Sequence, residues 1–282
     1  MKKTIYPCLW FNGNAKEAAE FYCSVFHDTK IVDDNHMVTM MESGGHRLMC
    51  LNGGPEFTIN SSISFFVVCD MDCDIENAWK RLLEGGAVMM PLDTYPWSPK
   101  YGWLRDRFGV NWQLFAGKKE DMDQKFAPSL LFTGKQNGKA EEAINYYTSV
   151  FKDSVIESIS KYEKNEGDTE GNVKYGQFRL GKKVFRAMDS SGPHQFGFNE
   201  AVSFVVECES QEEIDYFWNE FTKEGQESQC GWLKDKYGVS WQIIPEILSQ
   251  LMSDPAKTQR VVNAFLQMRK FDIAALIKAA EK

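Results

Sequence analysis

The chain has 282 residues, 43% of them hydrophobic and 13% aromatic, which is enough apolar material for two packed cores. A net charge of −8, a pI near 5.2 and the absence of any basic run remove the electrostatic footprint of a nucleic-acid partner. No signal-type apolar stretch follows Met1-Lys2-Lys3 and no later run approaches a membrane span, so a cytoplasmic protein without a membrane partner is expected.

Thr4 to Phe11 reads as a first strand, and Asn12-Gly13 leads from it into a helix. Asn14 followed by Glu17 has the spacing of a capping box, and Ala18, Phe21, Tyr22, Val25 and Phe26 share one helical face. Three short strands follow at 29–34, 36–42 and 46–52, set apart by Asp33-Asp34-Asn35 and Ser43-Gly44-Gly45 turns. The order is βαβββ. It begins again at Ile63 to Cys69, with Asp72 placed to cap a helix whose Ile75, Trp79, Leu82 and Leu83 lie on one face and which Gly85-Gly86 ends. Strands at 87–91, 102–106 and 111–116 complete the second unit, and Pro91 to Pro99 reads as a loop carrying Tyr95 and Trp97 between prolines.

Beyond the charged stretch Lys118 to Lys125 the whole arrangement recurs. The helical face returns as Ala143, Tyr146, Tyr147, Val150 and Phe151, and Ser64, Ile75, Trp79 and Gly86 return as Ser203, Ile214, Trp218 and Gly225. Ser210 with Glu213 forms a second capping box, and Glu163 to Asn172 reads as a long hairpin tip. The strongest repeat is Gly102-Trp103-Leu104-Arg105-Asp106-Arg107-Phe108-Gly109-Val110-Asn111-Trp112-Gln113. It reappears as Gly231-Trp232-Leu233-Lys234-Asp235-Lys236-Tyr237-Gly238-Val239-Ser240-Trp241-Gln242. Asp bonding its own backbone and Gly in the left-handed region make each copy a hairpin. Alternation then puts Trp112 and Leu114 on one face and Asn111, Gln113 and Phe115 on the other. The division is 1–118 as a first domain, 119–125 as a linker, 126–246 as a second domain and 247–282 as a helical extension. In that extension Asp254-Pro255 and Asp272 cap helices that need a host surface.

The run Leu9-Trp10-Phe11-Asn12-Gly13-Asn14-Ala15-Lys16-Glu17-Ala18-Ala19-Glu20-Phe21-Tyr22-Cys23-Ser24-Val25-Phe26 resembles the opening of PhnB-like proteins of the vicinal oxygen chelate (glyoxalase/bleomycin-resistance/dioxygenase) superfamily. Gly231 to Asp235 and Gly238 to Pro245 carry the same resemblance. The tail Ala264 to Leu276 is similar to the C-terminal extension of the subgroup often labelled 3-demethylubiquinone-9 3-methyltransferase. The resemblance implies an α+β fold of two tandem glyoxalase-like domains, in which paired βαβββ units form eight-stranded cups, followed by C-terminal helices. It also implies a small ligand, and often a divalent metal, within a cup. Single-domain members commonly dimerise, so tandem domains imitate that dimer within one chain, with room for a further homodimer.

In metal-using relatives the ligands come from the first strand of each unit and a carboxylate near the end of the last strand. Those positions fall here near Pro7 and Pro128, on Ser62 or Ser64 and Ser203, and on Gln113 and Gln242. Proline, serine and a neutral amide are poor partners for a divalent cation, so no cofactor is evident and the usual metal positions are not filled by metal ligands. His27, His36, His46 and His194 read as surface or turn residues without ligand pairing. The seven cysteines, with no C-x-x-C pair, read as reduced core thiols. No G-x-G loop joins a strand to a helix as an S-adenosylmethionine site would require, so the methyltransferase of the subgroup label ranks last. The expected activity is binding of a small aromatic or amphiphilic molecule, oriented by Gln113 or Gln242 among Trp10, Phe65, Tyr95, Trp97, Trp103 and Trp232. The alternatives are a metal-dependent lyase, isomerase or dioxygenase drawing on Glu42, Glu207 or Glu209, and an interaction scaffold.

Overall fold

A computed structural model describes residues 4–69, 74–117 and 124–281. Asp72 as a helix cap, Cys73 and most of the charged linker lie outside the described residues. Four βαβββ modules follow one another. Module one is β1 (Thr4–Phe11), α1 (Ala15–Val25), β2 (Thr29–Asp34), β3 (Val38–Ser43) and β4 (His46–Asn52). Module two is β5 (Ile63–Cys69), α2 (Asp74–Leu83), β6 (Ala87–Tyr95), β7 (Ser98–Arg105) and β8 (Asn111–Ala116). Module three is β9 (Ala127–Thr133), α3 (Ala140–Val150), β10 (Val155–Lys161), β11 (Val173–Leu180) and β12 (Lys183–Ser190). Module four is β13 (Val202–Cys208), α4 (Gln211–Thr222), β14 (Gln226–Glu227), β15 (Trp232–Lys234) and β16 (Ser240–Pro245). The tail adds α5 (Ile247–Leu251), α6 (Pro255–Phe265) and α7 (Ile273–Glu281).

In every module the first strand pairs in parallel with the last, and the helix packs on the strands of its own module. Two eight-stranded mixed sheets result. Sheet I runs β10-β11-β12-β9-β5-β8-β7-β6 and sheet II runs β14-β15-β16-β13-β1-β4-β3-β2. Paired modules with eight strands are the arrangement expected, but with module one beside two and module three beside four; that pairing is corrected, since the sheets join two with three and one with four. Sheet I joins modules two and three, because β5 uses one edge for β8 and offers the other, antiparallel, to β9. By packing, Pro7–Gly197 forms one compact unit, and the residues up to Tyr6 with those from Phe198 onward form a second.

In the Pro7–Gly197 unit the core on the helix side of sheet I centres on Trp112, which is fully buried. Tyr22, Phe26, Phe65 and Phe126 place their rings 5.0–5.8 Å from it. Below the indole sits the carboxylate of Asp106. Its Oδ1 accepts from the backbone N–H of Phe108 (2.8 Å) and Val110 (3.0 Å), while Oδ2 accepts from Trp112 Nε1 and Tyr22 Oη, both at 2.8 Å. Burial raises the Asp106 pKa, and these hydrogen bonds oppose the rise. Gly109, at φ +89°, turns the chain so that both backbone donors face the carboxylate.

Two local expectations are corrected. Asn14 makes no side-chain cap; the first helical N–H, that of Ala15, is bonded at 2.9 Å by Asn52 at the end of β4. Module three does the same with Asp189, which accepts from Gly138 and Ala140. The strand lying beside the helix start thus replaces the local cap. Pro91 to Pro99 is not a loop, since β6 runs to Tyr95 and β7 starts at Ser98. The prolines are tolerated because β6 is the edge of sheet I and pairs through three register shifts, and because Pro99 precedes the stretch of β7 that pairs with β8.

In the other unit Ser210 caps α4, Asp254 caps α6 and Asp272 accepts from Ala275 at the start of α7. The tail is bound to its own module: Cys230 N–H donates to Met268 O at 2.8 Å and Gly231 N–H to Arg269 O at 2.7 Å. Gly231 has φ +80°, and a Cβ there would meet the Phe271 ring at 2.6 Å. Only glycine admits so close an approach. Among the described residues no helix is long and apolar enough to cross a membrane.

His46, expected in a turn, opens β4, and its Nδ1 lies 2.8 Å from Lys183 Nζ on β12. Burial, reinforced by Arg47, lowers the Lys183 pKa from 10.5 to about 8. Between those values the unfolded chain binds the extra proton, so the Lys183 contribution to stability is complete above pH 10.5 and is lost as pH falls through 8. Lys183→Met should therefore melt above the parent at pH 7, with the gap narrowing toward pH 10 in a pH series of melting curves; a constant gap would refute the assignment. Asp106→Ala, which strands the buried donors of Trp112 and Tyr22, should lose about 3 kcal/mol or more in urea unfolding. A loss under about 1 kcal/mol would show that the carboxylate does not organise the hairpin.

Candidate functional site

The face of sheet I turned away from α2 and α3 carries a row of buried polar side chains. Its four middle strands are the first or last strands of modules two and three: β12, β9, β5 and β8. Register aligns Arg186 with Ser129, Ser129 with Ser64, and Phe66 with Gln113. Since alternation repeats every two residues and neighbouring strands lie about 4.8 Å apart, Arg186, Ser129, Ser64 and Gln113 form a row across the sheet. All four are buried.

Gln113 is held at both ends of its amide. Nε2 donates to Ser64 Oγ at 2.7 Å, and Oε1 accepts from Tyr101 Oη at 2.8 Å. Burial pushes the Tyr101 phenol upward, so it remains a donor at neutral pH. At the other end of the row Arg186 is 3% exposed, with its guanidinium carbon 4.0 Å from the Phe66 ring centroid. Arg186 Nε donates to Tyr175 Oη (2.9 Å), Tyr175 to Gln177 Oε1 (2.7 Å) and Gln177 Nε2 to Glu157 Oε2 (2.6 Å). Arg179 also bonds Glu157 and holds its pKa low. Ser129 Oγ, with the residue 1% exposed, has no hydrogen-bond partner among the described residues.

Rings flank the row on one side. Phe66 lies 6.4 Å from Tyr101 and 5.5 Å from Phe115, and Tyr95 stacks on Trp97 at 5.0 Å with its edge toward Tyr101 at 5.7 Å. Trp103 packs against this cluster and donates Nε1 to Asn111 Oδ1 at 3.3 Å. Trp97, 60% exposed, forms the outer rim.

Of the residues singled out in the sequence, Gln113, Tyr95, Trp97 and Trp103 come together here. Phe65 does not: it faces the helices against Trp112, and Phe66 takes the expected place. Trp10 is on β1, donating Nε1 to Gly54 O at 2.8 Å and meeting Phe57 edge-on. Gln242 and Trp232 pair across β16 and β15, and Gln242 Nε2 donates to Ser203 Oγ at 3.0 Å as Gln113 does to Ser64. The first-strand position is Ser129, not Pro128, which opposes Phe65 on the helix side; one residue of slip changes the face. Arg186, Ser129, Tyr101 and Tyr175 were missed. A lone arginine within Val184-Phe185-Arg186-Ala187-Met188 was the signal available for the first of them.

His194 Nε2 lies 2.7 Å from Ser190 Oγ, far from a histidine partner in chain position, and Glu207 accepts from Tyr6 Oη at 3.0 Å. Glu42 pairs in register with Arg47, and the N–H of Glu209 donates to Glu213. Among the described residues no three His, Cys, Asp or Glu side chains gather as a metal set.

The profile of the family described as 3-demethylubiquinone-9 3-methyltransferase matches residues 3–115 and 124–244. No curated protein sequence matches the chain. Among solved structures, a putative 3-demethylubiquinone-9 3-methyltransferase, PhnB protein, from Bacillus cereus is 32% identical over 40% of this chain and 98% of its own, with a TM-score of 0.37. Glyoxalase I from Zea mays is 12% identical over 89% of this chain and 96% of its own, with a TM-score of 0.58, a likeness of fold. Matched along both of its repeats, the chain belongs to the 3-demethylubiquinone-9 3-methyltransferase family and is built on the vicinal oxygen chelate fold of glyoxalase I.

Proposed function

We propose that this protein binds a small planar aromatic or amphiphilic molecule on the helix-free face of sheet I, without a divalent metal. The observation that carries the reading is the row Arg186, Ser129, Ser64 and Gln113 at the centre of that face. A guanidinium repels a dication, two serine hydroxyls are weak neutral ligands, and the Gln113 amide is already engaged at both ends. The residues present do not fit a metal centre. What they do fit is a molecule that lies against rings and takes a few directed hydrogen bonds. Phe66, Tyr101, Trp103 and Phe115 supply the apolar wall, and the Tyr95–Trp97 stack, exposed at Trp97, supplies an edge that a ligand meets first.

Titration with 2-naphthol, followed by tryptophan fluorescence and by melting, tests this. At about 100 times Kd the ligand should add about 2.7 kcal/mol, raising Tm by about 5 °C or more, and prior dialysis against EDTA should leave the response unchanged. A panel of aromatic compounds that moves neither signal, or a response abolished by EDTA and restored by metal, would overturn it. Gln113→Ala leaves Ser64 and Tyr101 without their shared partner and should lower stability by about 1–3 kcal/mol and weaken naphthol binding; unchanged values for both would remove Gln113 from the site.

A further inference from the structure

Arg186 occupies the position on the last strand of module three that Gln113 occupies on the last strand of module two, and it looks along the same face. Putting a guanidinium there makes one end of the row positive, at a depth where charge is weakly screened. The Tyr175–Gln177–Glu157 chain orients Arg186 through Nε, which sets the plane of the guanidinium. The neighbouring Ser129 is a second, independent sign. Its hydroxyl is buried, points onto the same face in register with Arg186, and has no protein partner among the described residues. Most buried hydroxyls in native structures are satisfied, so an orphan beside a buried cation leaves a hydrogen bond there for an outside group or a water to make.

We propose that the ligand is an aromatic carboxylate: the guanidinium of Arg186 and the hydroxyl of Ser129 hold its carboxylate oxygens, and its ring extends along Phe66 toward Tyr101 and Gln113. Phe66 lies between the two ends, with the Arg186 guanidinium on one side and the Tyr101 ring on the other, so a flat acid held at Arg186 would run along the row. This rests on the aromatic-site reading above and adds the charge of the ligand.

The test compares 2-naphthoate with its neutral analogue 2-naphthamide by calorimetry on the full chain. The parent protein should prefer the acid by about tenfold or more, and Arg186→Met should bring the two probes to parity. Ser129→Ala, which removes no hydrogen bond among the described residues, should melt like the parent and bind naphthoate several-fold more weakly. Equal affinities in the parent, or a preference that survives Arg186→Met, would overturn the carboxylate assignment and leave the aromatic site standing; binding of neither probe would sink both. Should Arg186→Met fail to fold by circular dichroism, Ser129→Ala decides: unchanged naphthoate affinity in that variant overturns the proposal.

Discussion

The buried carboxylate of Asp106 is the constraint on which the rest of the site depends. It gathers two backbone donors of a tight hairpin, the indole of the following strand and the phenol of a helix more than eighty positions earlier. With Trp112 held toward the helices by that bond, β8 has one admissible face assignment, and Gln113 must look the other way. Sliding the strand by one residue would bury the amide among rings and turn the indole toward the polar row. The same device recurs at Asp235, where Oδ1 accepts from Tyr237 and Val239 and Oδ2 from Trp241 at 2.9 Å, and Gln242 is again turned toward a serine.

Much of this was legible because it is local. Strand limits at 29–34, 46–52 and 63–69 follow from Gly and Asx punctuation, and the hairpin faces follow from strict alternation around Trp112. Where a strand is covered on both sides the alternation vanishes. Ile63-Ser64-Phe65-Phe66-Val67-Val68 gives no hint that Phe66, not Phe65, faces the polar row, and only the β8 register decides it. Asn52 and Asp189 act as helix caps from distant strands, so no reading of the helix's own neighbours finds them. Pro91 and Pro99 spoke for a loop, and the edge of a sheet let them remain in strands. Arg186 was hidden for a related reason: its place in the row exists only once β12 lies beside β9.

The family and the fold describe different things about this chain. Membership rests on sequence over both repeats, and the likeness to glyoxalase I rests on architecture at 12% identity. An architecture hosts many reactions, so the chemistry has to be read from the side chains that line it. Here those side chains are an amide locked between two hydroxyls, an orphan hydroxyl, a buried guanidinium and a wall of rings. On the proposed reading, hydrogen-bond direction and charge, more than bond-making groups, would distinguish one guest from another.

Asn52 and Asp189 fill the same role in modules one and three, and three residues before each stand Met49 and Arg186. Had the two repeats remained separate identical chains, any change at this position would have appeared in every copy of the protein at once. Fusion into one polypeptide breaks that obligation. Here one repeat carries a cation where the other carries a thioether, so a single chain holds two different side chains at the same point of its repeated frame.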